Sequence, residues 1–232
     1  MELSGFRCGY ARCVVIKPMK RAVGAARPAP RAEAYCRTPS VASSQTFQVA
    51  AESSGGRTMS TADQTLTGER ADLAETLAKH RNFLRFTARG LTDEQAASRT
   101  TVSELCIGGI IKHVTAAERG WARFIVDGPS ARGKWDDEAS IQAHLDSFRM
   151  LPGDTLAGLL ADYEAVATQT DELLATLPDL DAGHPLPEAP WYEPGASWSA
   201  RRALLHIIAE TSQHAGHADI IRESIDGAKT MG

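Results

Sequence analysis

The chain has 232 residues, 43% of them hydrophobic and 23% charged, with a formal net charge of −4. That is the make-up of an ordinary globular protein, and no apolar run approaches the roughly eighteen residues that a membrane span needs. The charge is unevenly spread, with nine Lys/Arg against three Asp/Glu over residues 1–58 and sixteen against twenty-six over 59–232. The acidic second part excludes an extended nucleic-acid surface, which would need clustered Lys/Arg.

Residues 1–58 are rich in Arg, Ala and Ser and show no sustained helical or strand periodicity, so they are expected to be a disordered extension. The apolar run at Cys13–Ile16 is too short for a secretory signal. Met59 opens a polar lead into the first strong helical pattern, so a misassigned start is the first reading of this segment. A disordered tail and an organellar transit peptide are the other two. Cys8, Cys13 and Cys36 are too irregularly spaced for a metal site. Cys106 alone lies beyond Met59, which rules out a disulfide framework there and fits a reducing, cytoplasmic setting.

From Met59 onward the pattern is helical, and residues 59–232 form the expected domain. In a first helix over Gly68–Arg89, Leu73, Leu77, His80 and Leu84 make one stripe, and Gly90 is placed to end it. Thr92–Gln95 has the form of a capping box opening a short helical turn. A second helix over Ser103–Val126 follows a similar signal at Thr101–Glu104. Its apolar face carries Cys106, Ile110, His113, Ala117, Trp121 and Phe124, and Asp127-Gly128-Pro129 stops it. The connection Gly128–Gly153, with a short helix at Ile141–Phe148, is far longer than a bundle turn. It can cross the domain, so the second and third helices are expected to run parallel. The third, Thr155–Leu177, aligns Leu156, Leu160, Tyr163, Ala167 and Leu174. A connection over Pro178–Trp198 then holds Trp191, Tyr192 and Trp198 and reads as an ordered cover over one bundle end. The fourth helix, Ser199–Asp226, is capped by Ser197 or Ser199 and ends at Gly227. The expected fold is all-α, a four-helix bundle with long crossover connections.

The chemistry gathers on the fourth helix. At about 100° per residue, with His206 at the origin, His217 falls near 20°, Glu210 near 40° and His214 near 80°. All four lie on or beside the side that carries Ile207, Ala218, Ile221 and Ile225. Buried titratable groups need partners. Glu210 and His214, at i and i+4, can grip one ion, and His113 on the second helix is the best-placed third donor. His206 and His217 are then expected in the second shell or the pocket. An ion pair without metal, or a hydrogen-bonded polar core, satisfies the same residues and stays open. His80 has no i+4 partner, Cys106 reads as a buried inert thiol, and His144 and His184 read as loop or surface residues.

The segments IIKHVTAAERGW around His113 and HIIAETSQHAGHADIIRESIDG from His206 resemble the DinB/YfiT-like metalloprotein superfamily over about residues 67–226. The nearest branch is that of the mycothiol-dependent maleylpyruvate isomerases. The resemblance implies a four-helix bundle whose metal is held by a second-helix histidine and an H-x-x-x-H or E-x-x-x-H pair on the last helix. His113, Glu210 and His214 match those positions. The isomerase branch carries a further C-terminal domain, and this chain ends soon after the fourth helix, so maleylpyruvate isomerisation is not expected. The resemblance implies a divalent metal, zinc or else nickel, and a low-molecular-weight thiol such as mycothiol as its partner. The expected activity is transfer of that thiol to an electrophilic substrate, with the metal-bound thiol as nucleophile. The alternative is a non-catalytic, stress-associated metal-binding bundle. Self-association as a homodimer is left open.

Overall fold

The order of α-helices follows from where the chain can cap and where it cannot. In the computed structural model, which describes residues 66–132, 138–189 and 191–230, the elements are α1 (Glu69–Thr87), α2 (Asp93–Ala97), α3 (Ile107–Asp127), α4 (Glu138–Ser147), α5 (Leu156–Thr176) and α6 (Ala200–Asp226). Two three-residue strands, β1 (Gly183–Pro185) and β2 (Ser197–Ser199), pair antiparallel just before α6. The described residues fall within one compact unit, 64–232. The expectations for residues 1–58 lie outside them.

Helices α2, α3, α5 and α6 each start at a side chain that accepts a hydrogen bond from an otherwise orphaned backbone N–H, whereas α1 follows Gly68 without one. Thr92 and Gln95 form the expected capping box. Thr155 accepts from the Gly158 N–H, and Ser199 from that of Arg202. The Thr101–Glu104 signal is not used. Helix α3 begins later, at Ile107, because the buried Cys106 Sγ accepts from the Gly109 N–H at 3.4 Å. Cys106 is thus an N-cap as well as a buried thiol. Gly227, at φ 80°, ends α6 in the left-handed conformation.

Four long helices form the bundle, α1 and α3 each packing on both α5 and α6. Cross-helix ion pairs set their directions. Lys112 Nζ lies 2.7 Å from Asp154 Oδ2, and Arg119 Nη2 lies 2.5 Å from Asp162 Oδ1, so α3 and α5 advance together and run parallel, as expected. Arg81 pairs with Asp171 and Arg85 with Glu164, so α1 and α5 are antiparallel. Arg201 pairs with Glu69 near the start of α1, and Arg222 donates to the Thr87 carbonyl near its end, which makes α6 parallel to α1. The 128–155 crossover is what permits the parallel α3–α5 pair.

The core is two apolar clusters with a polar layer between them. One holds Leu84, Ile110, Val114, Tyr163, Ala218 and Ile221, the other Leu73, Leu77, Trp121, Phe124, Leu174 and Ile207. Between them in sequence on each helix lie Arg81, Glu118, Thr170 and Thr211, all buried. Arg81, 1% exposed, takes the place in the α1 stripe that periodicity gave to His80, which is only half-buried. Its guanidinium reaches Glu118, itself 1% exposed, with Nη2–Oε1 at 2.5 Å and Nε–Oε2 at 3.3 Å. The β1–β2 connection covers one end of the bundle. Leu180 is buried there, and the Trp198 ring stacks on Trp121 with centroids 4.6 Å apart. Among the described residues no helix is long and apolar enough to cross a membrane.

The buried pair makes an energetic prediction. Glu118→Leu leaves Arg81 with only the half-exposed Asp171 as a partner, and removing one member of a buried ion pair costs about 3–5 kcal/mol. Urea unfolding should show a loss of that order. The double variant Arg81→Met, Glu118→Leu should lose markedly less, because no uncompensated charge remains.

Candidate metal centre

Helix α6 brings its four titratable groups to one side because residues at i and i+4 project one above the other. Helix α3 runs antiparallel beside it, with Trp121 against His206 at one level and His113 against His214 at the next. The Glu210 carboxylate stands at the centre. Its Oε2 faces His214 Nε2 at 3.5 Å and His113 Nε2 at 3.9 Å, and its Oε1 faces His206 Nε2 at 3.5 Å. The cluster is therefore divided by the two carboxylate oxygens. One atom from each of His113, Glu210 and His214 lies within 4.8 Å of the others, a group that could hold a metal ion. The side chains are 12%, 28% and 12% exposed, so the site is sheltered but open to solvent.

The donor chemistry fits a zinc ion. Two imidazole nitrogens and a carboxylate oxygen are ligands that zinc accepts, and atoms bonded at about 2.1 Å to one tetrahedral ion stand about 3.4 Å apart. The nitrogen–oxygen separations of 3.5 and 3.9 Å are near that spacing and too long for direct hydrogen bonds. His214 Nδ1 and His217 Nδ1 are buried and, among the described residues, have no hydrogen-bond partner. His217 stands beside His214, ring centroids 5.4 Å apart, and outside the three-residue group. His206 meets the stacked Trp121 and Trp198 rings edge-on, with centroids 4.9 and 5.1 Å away.

Helix α4 supplies residues that sequence reasoning missed. His144, expected on a loop or the surface, sits on α4 with its ring 5.7 Å from that of His113 and is half-buried. Phe148 stacks on His113 at 3.8 Å and 20°, and Ser147 Oγ lies 3.1 Å from His113 Nδ1. The only signal in the sequence is that His144, Ser147 and Phe148 share a face at i, i+3 and i+4. His184, the other residue placed on a loop or surface, lies on β1, half-buried, with Nε2 3.2 Å from the Ile125 carbonyl.

A family model for mycothiol-S-transferase matches residues 72–227, a span that contains every residue of this cluster. No curated protein matches the chain. Among solved structures, a conserved protein from Enterococcus faecalis is similar with a TM-score of 0.50 and 13% identity, over 70% of this chain and 100% of its own. That likeness bears on the fold alone.

Burial lowers the pKa of His113, of His144 and of His217, each reinforced by a neighbouring histidine. The His113 and His214 rings hold the Glu210 carboxyl well below the usual carboxylate range. A histidine whose folded pKa is depressed contributes stability above its unfolded value of about 6.5, and that stability is lost as pH falls through the folded pKa. Glu210 acts with the same sign at lower pH. The melting temperature of the metal-free chain should therefore drop between about pH 7.5 and pH 5.5. His113→Gln should flatten the drop, and an unchanged slope would place its origin elsewhere.

Proposed function

This chain belongs to the mycothiol-S-transferase family, and we propose that it joins a low-molecular-weight thiol, mycothiol foremost, to an electrophilic small molecule with the aid of a divalent cation. The observation that carries the reading is the approach of two imidazole nitrogens to one oxygen of Glu210 at 3.5 and 3.9 Å. His113, Glu210 and His214 would hold zinc, or else nickel, and leave a position open for sulfur. A divalent ion there supplies the charge that lets a thiol lose its proton at neutral pH.

The remaining work falls to the chain. The sulfur electron pair forms the new carbon–sulfur bond, the leaving group departs with its bonding pair, and the thiol proton needs an acceptor. His206 is the residue placed to take it, because it faces the Glu210 oxygen turned away from the other two histidines. Imidazole suits that task near neutral pH. His217, against His214, is the alternative acid or base. Trp198 and Tyr192, in edge contact at 6.0 Å, offer the electrophile an aromatic wall under the 178–198 connection. A purely structural ion would be closed by a fourth protein ligand. His206 addresses the opposite carboxylate oxygen, which favours the open, catalytic arrangement.

Metal analysis of the full chain tests the ligands. Wild type should retain zinc or nickel, and His113→Ala and His214→Ala should lose most of it. Equal trace amounts in all three would sink the site. Turnover with a bimane or dinitrobenzene electrophile tests the transfer. Mycothiol should support it better than bacillithiol or glutathione, and His214→Ala should reduce it by about 10²-fold or more. No thiol-dependent turnover with any of the three would end the transferase reading.

A further inference from the structure

The residues that steady His113 do not belong to the four-helix core. At the end of α4, Ser147 Oγ lies 2.6 Å from the His144 carbonyl oxygen. A carbonyl can only accept, so the single hydroxyl proton is committed to that bond. The same Oγ lies 3.1 Å from His113 Nδ1. With its proton already used, Oγ meets the ring as an acceptor, and Nδ1 must carry the hydrogen. A neutral imidazole has one N–H, which leaves Nε2 with a free lone pair, turned toward Glu210 Oε2.

We propose that Ser147 is a positioning residue that fixes His113 as the Nδ1–H tautomer, so that Nε2 presents its lone pair to Glu210 and His214. The ring is also held on its face by Phe148, stacked at 3.8 Å. A glycine notch on α3 allows this approach. A Cβ added at Gly109 would stand 2.0 Å from the Phe148 carbonyl oxygen, and one at Gly108 would stand 2.3 Å from Met150 Sδ. The chain leaving α4 therefore lies directly on the α3 backbone, one turn before His113. The Lys112–Asp154 pair, with Asp154 Oδ2 also accepting from the Leu151 N–H at 2.8 Å, fastens the far side of the segment. The tautomer rests on hydrogen-bond geometry alone; its consequence for metal affinity rests on the ligand set proposed above.

The test uses the full chain, metal-free and labelled with 15N-histidine, with His113→Gln to assign the resonance. Long-range proton–nitrogen correlation should show His113 in wild type with a protonated Nδ1 and a bare Nε2. Ser147→Ala should mix the tautomers or reverse them, and Ser147→Thr should restore the wild-type form. Gly109→Ala, which drives the Phe148 backbone off α3 and draws the neighbouring Ser147 away from His113 without changing it, should reproduce the Ser147→Ala spectrum. In a chelator competition with zinc, Ser147→Ala should bind about 10–100-fold more weakly, as loss of an outer hydrogen bond to a ligand histidine does. An Nε2–H tautomer in wild type, or a Ser147→Ala spectrum unchanged from it, would overturn the proposal. Wild type that shows the Nδ1–H form yet takes up no zinc would uphold the tautomer and remove the metal reading.

Discussion

A half-buried carboxylate faced by three imidazole rings cannot be left to chance in a helical bundle. Glu210 lies in the middle of α6, where an apolar residue would otherwise fill the seam with α3. The rings of His113, His206 and His214 converge on its two oxygens, and the carboxylate, 28% exposed, stays within reach of water. The requirement extends through the interior. At the corresponding levels of α1 and α3 the core offers Arg81 and Glu118, buried against each other, and α6 itself adds Thr211. The bundle thus carries a polar belt between two apolar clusters, with Asp171 at its half-exposed end.

Such a belt gives up some hydrophobic stabilisation in exchange for fixed geometry. A buried ion pair contributes little net stability compared with apolar residues of the same volume. What it sets here is register. A slide of α1 against α3 by one turn would separate Arg81 from Glu118, and the same slide of α6 would separate Glu210 from His113. The position of the candidate ligands along their helices is therefore tied to partners that are costly to break.

The helical part of the site was readable because it depends on short-range geometry. Glu210 and His214 are one turn apart on one helix, and His113 lies in the apolar stripe of α3, so periodicity alone places both faces inward. The parts that escaped depend on contacts between distant segments. Arg81 stands next to His80, which the α1 stripe takes up instead, and nothing near it in the chain marks Glu118 as its partner. Ser147 and Phe148 reach His113 only because the crossover settles on Gly108 and Gly109, and a pair of glycines in a helix is a poor pointer to what lands there. The start of α3 was misplaced for a related reason. Thr101 looked the better cap, and the capping atom is the thiol of Cys106.

The parallel course of α3 and α5 bears on how the site comes into being. The helices carrying His113 on one side and Glu210 and His214 on the other are separated in the chain by the whole crossover, α5 and the β1–β2 connection. During synthesis the early helices must wait, with Trp121 and the face around His113 uncovered, until α6 has been made. Until α6 is complete, Glu210 and His214 are not there to meet His113. An ion held by the three residues proposed above would be taken up only at the last step of assembly, and would pull that step toward completion by mass action.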